Sequence, residues 1–134
     1  MRRRDESVNP GRNPDPAAFL PLPTLPYHVL LALAQEPQHG WSIIKRIEQI
    51  GGHRVAPSAG SLYIAIARLG ERGLIRETAS RTRATPDDRR RVYELTPLGR
   101  RVLKLESARL AELVGLAKRW LGSLEKESSG DHGA

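Results

Sequence analysis

The sequence predicts a mainly α-helical fold with a small β-hairpin: a winged helix-turn-helix followed by one long helix. Three observations lead to this prediction. Between residues 24 and 72, three short segments follow one another, each with apolar residues at helical spacing. Two short segments typical of β-strands then flank a polar, arginine-rich loop. A long amphipathic segment, beginning at residue 97, follows this hairpin.

The 134 residues are enough for one compact domain with tails. Residues 1–23 are rich in Pro, Asn, Gly and charge, so we expect a disordered arm there. The winged-helix domain is predicted at 24–96, a dimerisation helix at 97–124 and a disordered tail at 125–134. The chain has no cysteine and no apolar run near the about 20 residues that a membrane helix needs. A cytoplasmic protein without a membrane segment is therefore expected.

The positive charge is concentrated in one part of the chain. The net charge is +7, and residues 80–104 contain eight basic and three acidic residues, which contribute +5 of it. An excess confined to so short a segment indicates a surface that faces a polyanion. The charge distribution therefore predicts nucleic acid as a partner.

The first two helices are delimited by start and stop signals. Thr24 is a candidate N-cap of the first helix, and Pro37 ends it. The second helix is predicted to begin at His39–Gly40 and to end at Gly51–Gly52. Its apolar residues at helical spacing are Trp41, Ile43, Ile44, Ile47 and Ile50. We expect the tryptophan of this set to lie in the core.

The third helix has one apolar face and one face of small residues. Ser58 is its predicted N-cap and Gly73 its predicted C-cap. The apolar face, spaced i, i+3, i+4 and i+7, consists of Leu62, Ala65, Ile66 and Leu69. On the opposite face Tyr63 is the one aromatic side chain. Its hydroxyl can bond a phosphate and its ring can pack on a thymine methyl group. The alternative is that Tyr63 packs under the hairpin as a half-buried core residue.

The outer face of this helix is the predicted recognition surface for duplex DNA. Small side chains let the backbone come close to DNA, and the N–H groups at a helix N-terminus favour phosphate. The candidate DNA-contacting residues are Ser58, Gly60, Ser61, Tyr63, Ile64, Ala67 and Arg68.

The two β-segments, LIRETA and RVYELT, predict an antiparallel hairpin with the polar loop SRTRATPDDRR between them. Arginines cluster around its tip, namely Arg81, Arg83, Arg89, Arg90 and Arg91. On the wing of a winged helix they are expected to contact phosphates or to enter a narrow minor groove. Asp87 and Asp88 indicate that some of them are paired internally. The alternative is a solvated loop whose charges only maintain solubility.

The last helix, capped by Thr96–Pro97, carries an apolar stripe that Glu106 interrupts. The stripe consists of Leu103, Leu110, Leu113, Val114, Ala117, Trp120, Leu121 and Leu124. Over 97–124 the helix would be about 40 Å long at 1.5 Å per residue. This is longer than the winged-helix domain at 24–96, called the head below, can cover. Two-fold pairing is the commonest way to bury such a stripe, so these residues are predicted to form a homodimer interface. The relative orientation of the two helices is left open.

Three segments together resemble the PadR family of bacterial transcriptional regulators. They are HGWSIIKRIEQIGG, SAGSLYIAIARLGERGLI and RRRVYELTPLGRRVL, and the likeness spans about residues 25–105. The single helix after the wing resembles the short-form members. This resemblance implies a homodimer whose last helix packs on the partner subunit and which represses transcription until a small-molecule or stress signal releases it. A symmetric dimer would read a palindromic operator in double-stranded DNA.

The resemblance also bears on the effector and on three unusual positions. Some small members of the family bind flat hydrophobic ligands through aromatics at the dimer centre, so Trp120 is a candidate contact for a small hydrophobic effector. Filling of the interface is the favoured alternative for it. Ile64 stands where the family often has proline, Trp41 where tyrosine is common, and Gly70 where a charged residue is usual. The glycine weakens its helix by up to ~1 kcal/mol relative to alanine.

Nothing in the sequence predicts catalysis, a cofactor or a metal site. Its histidines, His28, His39, His53 and His132, are scattered without metal-ligand spacing. No nucleophile-base arrangement or phosphate-binding glycine loop is present. The alternative to a DNA-binding regulator is a winged-helix module that binds other proteins. A MarR-like regulator is disfavoured because residues 1–23 do not resemble the additional N-terminal dimerisation helix of that type.

Overall fold

The computed structural model describes residues 14–51, 54, 57–78 and 91–133, with side chains up to residue 125. After a 3₁₀ turn at Pro16–Phe19, the elements are α1 (Thr24–Ala32), β1 (Gln38–His39), α2 (Gly40–Gly51), α3 (Ala59–Glu71), β2 (Ile75–Glu77), β3 (Val92–Leu95) and α4 (Pro97–Gly133). This order confirms the predicted winged helix-turn-helix with a long final helix. No helix in the described part of the chain has the length and apolar character needed to span a membrane.

Helices α1, α2 and α3 pack on one another around a single apolar core. Helix α3 contributes the face that its helical spacing predicts, whereas α2 buries only part of its predicted apolar set. The buried residues are Val29, Leu30 and Ala32 of α1, Ile43, Ile44 and Ile47 of α2, and Leu62, Ala65, Ile66 and Leu69 of α3. Burial of one leucine or isoleucine side chain contributes about 1.5–3 kcal/mol. This burial fixes α3 with its other face towards solvent.

Local hydrogen bonds begin and end α3 where the sequence predicts. The Ser58 Oγ accepts a hydrogen bond from the Ser61 N–H at 3.1 Å. At the other end Gly73 adopts φ +82°, and the Leu74 N–H donates to the Leu69 carbonyl at 3.0 Å. This is a Schellman motif, in which glycine is favoured because other residues rarely adopt positive φ. Both predicted caps of α3 are therefore confirmed, with the glycine one residue past the cap position.

The sheet has three antiparallel strands in the order β1-β3-β2, one more than the predicted hairpin. Pairing of β2 with β3 places Ile75 opposite Leu95, and pairing of β1 with β3 places Gln38 opposite Tyr93. Two residues are too few to show a period in the sequence, so β1 is recognisable only once β3 lies beside it. The Gln38 side chain is buried and donates to the Ala32 carbonyl at the end of α1.

The start and end of α1 also differ from the prediction. Pro23 occupies its N-cap position and makes no side-chain cap hydrogen bond, so Thr24 is the first helical residue and not the cap. The helix ends at Ala32, several residues before Pro37. The chain needs these residues to turn back and reach β3 as strand β1.

Helix α4 begins as predicted and extends further than predicted. The Thr96 Oγ1 accepts a hydrogen bond from the Gly99 N–H at 3.0 Å and donates to the Gly73 carbonyl at 2.6 Å. The helix continues to Gly133, so the prediction of a disordered tail at 125–134 is wrong for 125–133. The segment has no proline to end a helix and begins with the good helix formers Glu-Lys-Glu. At 1.5 Å per residue α4 is about 55 Å long.

The prediction of a disordered arm at 1–23 is wrong for its described part, residues 14–23. The 3₁₀ turn in this segment packs on α4, and Leu22 is buried in the core. The Leu22 N–H donates at 2.9 Å to the carboxylate of Glu106, which is 1% exposed and pairs with Arg109 at 2.6 Å. A buried carboxylate that accepts a backbone hydrogen bond from a distant segment leaves no local sequence pattern. Residues 1–13 lie outside the described part of the chain.

Glu106 therefore has a structural role, although its sequence position suggested only a break in the apolar stripe. Hydrogen bonding from Arg109 is the largest influence that lowers the pKa of this carboxyl group below its ordinary value of 4.5. Burial acts in the opposite direction, and the hydrogen bond from Leu22 lowers the pKa further. The ionised carboxylate is thus the form that joins the N-terminal segment to α4.

Candidate nucleic-acid interface

The outer face of α3 is exposed among the described residues, although Tyr63 on this face also packs against α2. All the residues predicted to contact DNA on this helix are exposed: Ser58, Gly60, Ser61, Tyr63, Ile64, Ala67 and Arg68. Ile64 is 58% exposed, which is a large exposure for an isoleucine. The face combines small residues, two hydroxyls near the N-terminus and two larger side chains that project from the middle. Its contact with DNA stays a prediction.

Tyr63 is partly exposed and partly packed against another helix. Its side chain is 39% exposed, so it is neither a core residue nor fully free. One edge of the ring packs against α2, because a Cβ built on Gly40 would lie 2.7 Å from the Cζ of Tyr63 and would overlap its hydroxyl oxygen. Glycine at the start of α2 is therefore what lets the tyrosine lie in this position. The packing partner is α2, and the remaining surface of the ring faces outwards.

A groove of about 470 Å³ separates α3 from the sheet. Its lining consists of Tyr63, Ile66, Ala67, Gly70, Ile75, Arg76, Glu77, Arg91 and Tyr93. Gly70 lines it, and a Cβ built on this residue would meet no atom within 4 Å, so there is open space beside this position. Tyrosines stand on both sides, one from α3 and one from β3. The groove continues the outer face of α3 towards the wing.

Six of the nine groove residues are not among the predicted DNA-contacting residues, and Arg76 and Tyr93 are two of these six. A period of two in β3 places Tyr93 on the same side as the buried Leu95, and that signal could have identified it. Burial is the largest influence on Tyr93 and raises its pKa above the ordinary value of 10.0, while Arg91 acts to lower it. The phenol is therefore neutral at pH 7 and keeps its O–H as a donor.

The described charges of the wing are partly paired. The Arg91 Nε lies 3.6 Å from the Glu77 Oε2, and the Arg76 Nε lies 2.7 Å from the Glu94 Oε2. These pairs are about half exposed, so they hold the guanidinium groups in place at a small energetic gain. The other predicted wing residues, Arg81, Arg83, Arg89 and Arg90, lie outside the described residues, as do Asp87 and Asp88.

The prediction that Trp41 lies in the core is wrong. Its side chain is 62% exposed, and the Lys45 Nζ lies 4.9 Å from its ring centroid. At 100° per residue, Trp41 and the fully buried Ile43 lie about 200° apart around α2 and so on nearly opposite sides of the helix. Only one face of α2 meets the core, so its apolar residues cannot all be buried; Ile50 is exposed as well.

The distal half of α4 carries an uncovered apolar stripe. Five predicted interface residues are exposed there: Leu113, Val114, Trp120, Leu121 and Leu124, with Trp120 at 65%. Ala117 is exposed too, and Leu110 is partly buried. For Leu103 the prediction is wrong, because this residue is buried in the core of its own chain. It follows Val102, on the part of α4 that packs against the head.

The described residues were also compared with the arrangement that a metal ion needs. No cluster of three or more His, Cys, Asp or Glu side chains within them is arranged to hold a metal. The fold, with the exposed outer face of α3 beside the sheet, defines a winged-helix protein of the DNA-binding class.

The family model of the PadR-like transcriptional regulators matches residues 29–105, more than half of the chain. The protein belongs to the PadR family, which confirms the predicted resemblance. Members of this family are transcription regulators and not enzymes. They bind DNA and typically dimerise.

Three individual proteins illustrate the similarity. An uncharacterised 37.1 kDa protein in a transposon of Streptomyces fradiae is 44% identical over 87 residues; the match spans 65% of this chain but only 23% of that protein. A PadR family regulator from Clostridium difficile R20291 superposes with a TM-score of 0.62 at 19% identity, covering 74% of this chain and 99% of that one. A PadR-like regulator from Bacillus cereus gives a TM-score of 0.62 at 21% identity, with coverage of 73% and 91%. These structures support the fold.

Proposed function

We propose that the protein is a homodimeric transcriptional repressor that binds a palindromic DNA operator and is released by a small-molecule or stress signal. The observation that carries the proposal is the outer face of α3, which is exposed along its length and lies beside the groove to the wing. In a helix-turn-helix protein this face enters the major groove. The protein would act in the cytoplasm, where it has access to the operator.

The residues of α3 suit both positioning and reading of DNA. The hydroxyls of Ser58 and Ser61 and the first N–H groups of the helix can bind phosphate oxygens. Ile64, which projects from the middle of the face, can contact the methyl group of a thymine. Arg68, one turn further on, can reach a guanine or a phosphate.

The groove between α3 and the sheet suits the DNA backbone that separates a major from a minor groove. Tyr63 of α3 and Tyr93 of β3 both line it, and so does Arg91. A phosphate there would compete with Glu77 for the guanidinium group of Arg91, which is half exposed and therefore accessible. The remaining wing arginines would extend the contact towards the minor groove.

The distal stripe of α4 supports pairing with a second copy. An exposed apolar surface of this kind on a monomer would promote aggregation, and two-fold pairing buries it on both subunits at once. A symmetric dimer presents two α3 helices to the same side of DNA. The operator would then contain two half-sites separated by about one or two helical turns.

The proposed dimer would account for both repression and release. A dimer that occupies the major groove at a promoter excludes other proteins from the same site. Because α4 joins each head to the dimer, a change in how the two stripes pack would change the spacing of the α3 helices. Trp120, on the stripe, is the candidate contact for a small hydrophobic effector, and filling of the interface is the favoured alternative for it.

A gel-shift experiment tests the proposal. Restriction fragments of the source genome are incubated with the protein at low salt, and a discrete retarded complex is expected for a small subset of them. A protein-interaction module would give none. Binding of the retarded fragment should then weaken steeply between about 50 and 200 mM salt, because each phosphate contact releases counterions. Affinity that is independent of salt would contradict docking through phosphates.

A further inference from the structure

The first turn of α2 presents an exposed tryptophan that the proposed function leaves unused. Trp41 is more exposed than Tyr63, although tryptophan is usually well buried. The Lys45 ammonium lies over its ring and therefore shares the same surface. A shallow depression of about 340 Å³ borders the pair and is lined mostly by polar side chains, including Ser42 and Gln49.

This surface lies next to the predicted recognition surface. The close approach of Gly40 to the Tyr63 hydroxyl shows that the first turn of α2 lies beside the outer face of α3. Trp41 follows Gly40 directly in the chain, and it points away from the core. Any duplex that admits the outer face of α3 therefore brings the adjacent sugar-phosphate strand close to the start of α2.

The charge of the surface is complementary to phosphate. Lys45 is exposed, and Arg46 lies 3.8 Å from the carboxylate of Glu36, the acidic residue in the lining of the depression. Arg46 thereby offsets that negative charge, and the lysine gives the lining a positive balance. The indole N–H of Trp41 is a donor, and its ring can pack on a deoxyribose.

We propose that Trp41 and Lys45 form a second DNA contact, which grips the phosphate backbone beside the major groove that α3 enters. This inference rests on the proposed function. It assigns DNA positioning, and not sequence reading, to the first turn of α2. The first helix of a helix-turn-helix crosses the DNA backbone, which agrees with this assignment.

The test uses the full-length protein and the genomic fragment that it retards, with unrelated DNA of equal length as the non-specific probe. Fluorescence anisotropy is measured over a range of salt concentrations for Trp41→Ala, Trp41→Phe and Lys45→Ala. Both alanine variants should weaken binding to the two DNAs by the same factor, since backbone contacts carry no sequence information. Lys45→Ala should also reduce the slope of log K against log salt by about 0.9.

Two control variants match the chemistry at positions remote from this surface. Ile50→Ala removes an exposed apolar side chain at the opposite end of α2, and Arg119→Ala removes an exposed cation on α4. Both should bind the two DNAs with the affinity and salt slope of the unaltered protein. Circular dichroism melting identifies any variant that fails to fold, and Trp41→Phe keeps an aromatic ring and so preserves the test if Trp41→Ala unfolds.

Intrinsic fluorescence gives an independent measurement. The difference between the emission of the unaltered protein and that of Trp41→Phe isolates Trp41, and it should change when the retarded fragment is added. Unchanged emission, or unaltered affinity and salt slope in both alanine variants, would overturn the inference. So would a loss limited to the specific fragment, because it would mean sequence reading. If the unaltered protein retards no fragment at all, the proposed function fails first.

Discussion

The two halves of α4 carry the same spacing of residues in different surroundings. Val102, Glu106 and Leu110 continue at intervals of three or four residues into the distal stripe at 113–124. Against the head, this side of the helix is buried by α1 and the N-terminal segment. Beyond the head it is exposed. Apolar residues at helical spacing therefore identify the side of a helix that needs to be buried. They do not show whether the same chain or a second chain buries it.

The largest effect is expected on dimerisation, from a charge placed in the exposed half of α4 beyond the head. Leu113→Glu should dissociate the dimer and leave the head folded, because Leu113 is about half exposed and lies outside the core of the head. Two-fold symmetry introduces the charge twice, and the loss of two buried leucines corresponds to about 3–6 kcal/mol, or roughly a 100- to 10,000-fold weaker dimer. Sedimentation equilibrium measures the change.

The matched control is Ala108→Glu, which places the same charge on an exposed position half a turn around the helix from Ala117. It should leave the association unchanged. Equal dissociation by both variants, or an unaltered protein that is already monomeric at all concentrations tested, would contradict a dimer built on the stripe.

Two glycines, one in each half of α4, test how closely each half is packed. A Cβ on Gly99 would overlap the carbonyl oxygen of Leu74, a backbone atom that cannot move aside easily. Gly99→Ala should therefore destabilise the head by about 1–3 kcal/mol, as overpacking does. On the distal half a Cβ on Gly115 meets no atom within 4 Å, so Gly115→Ala should stabilise the helix by up to ~1 kcal/mol. Urea unfolding of both variants checks the opposite signs; a stabilising Gly99→Ala would mean that α4 packs differently.

The link between Glu106 and the N-terminal segment can be broken separately. Glu106→Leu leaves the buried Leu22 N–H without its acceptor and should cost about 1–3 kcal/mol, whereas Glu106→Gln keeps an oxygen there and should cost less. Urea unfolding at pH 7 measures both. Equal stability of Glu106→Leu and the unaltered protein would show that this hydrogen bond contributes nothing.

Acid should remove the same contribution. The folded-state pKa of Glu106 is lowered, so the stability it provides is fully present above the ordinary value of 4.5 and is lost as the pH falls through the folded-state pKa. The stability difference between the unaltered protein and Glu106→Gln should therefore shrink in acid. A difference that grows as the pH falls would mean that the sign of the shift is wrong.

The smallest effect is expected on the outer face of α3, where little is buried. Tyr63→Phe should weaken binding to the retarded fragment by about 0.5–1.5 kcal/mol if the hydroxyl bonds a phosphate. Tyr63→Ala should weaken it further, because the ring is lost too, with little change in melting temperature. Fluorescence anisotropy measures the DNA affinity, and circular dichroism measures the melting temperature. A Tyr63→Ala protein that melts much earlier would instead assign the residue to the packing of α2 on α3.

Much of the fold was predictable because its signals are local. Ser58, Gly73 and Thr96 satisfy backbone groups within a few residues of themselves, so their positions mark the element ends directly. The apolar face of α3 follows from helix geometry alone, and with it the residues that face outwards. These two facts locate most of the described candidate interface.

Other features depend on segments that are distant in sequence. Strand β1 exists because β3 offers hydrogen-bonding partners to Gln38 and His39, and Glu106 is buried because the N-terminal segment folds over it. Trp41 belongs to an apolar pattern, but the core accepts only one side of α2. In each case the residue type permits two environments, and long-range packing selects one.

The sequence by itself determined the order of the helices and the hairpin, the ends of α3 and the start of α4, the side of α3 that packs inwards, and the family. Only the tertiary structure decided where α4 extends beyond the head and that Tyr63 and Trp41 are accessible to solvent. It also decided that the segment before α1 packs on α4 and bonds Glu106. The physical reason is that hydrogen bonds within a turn and helical periodicity act over a few residues. Burial, by contrast, depends on which surfaces the folded chain brings together.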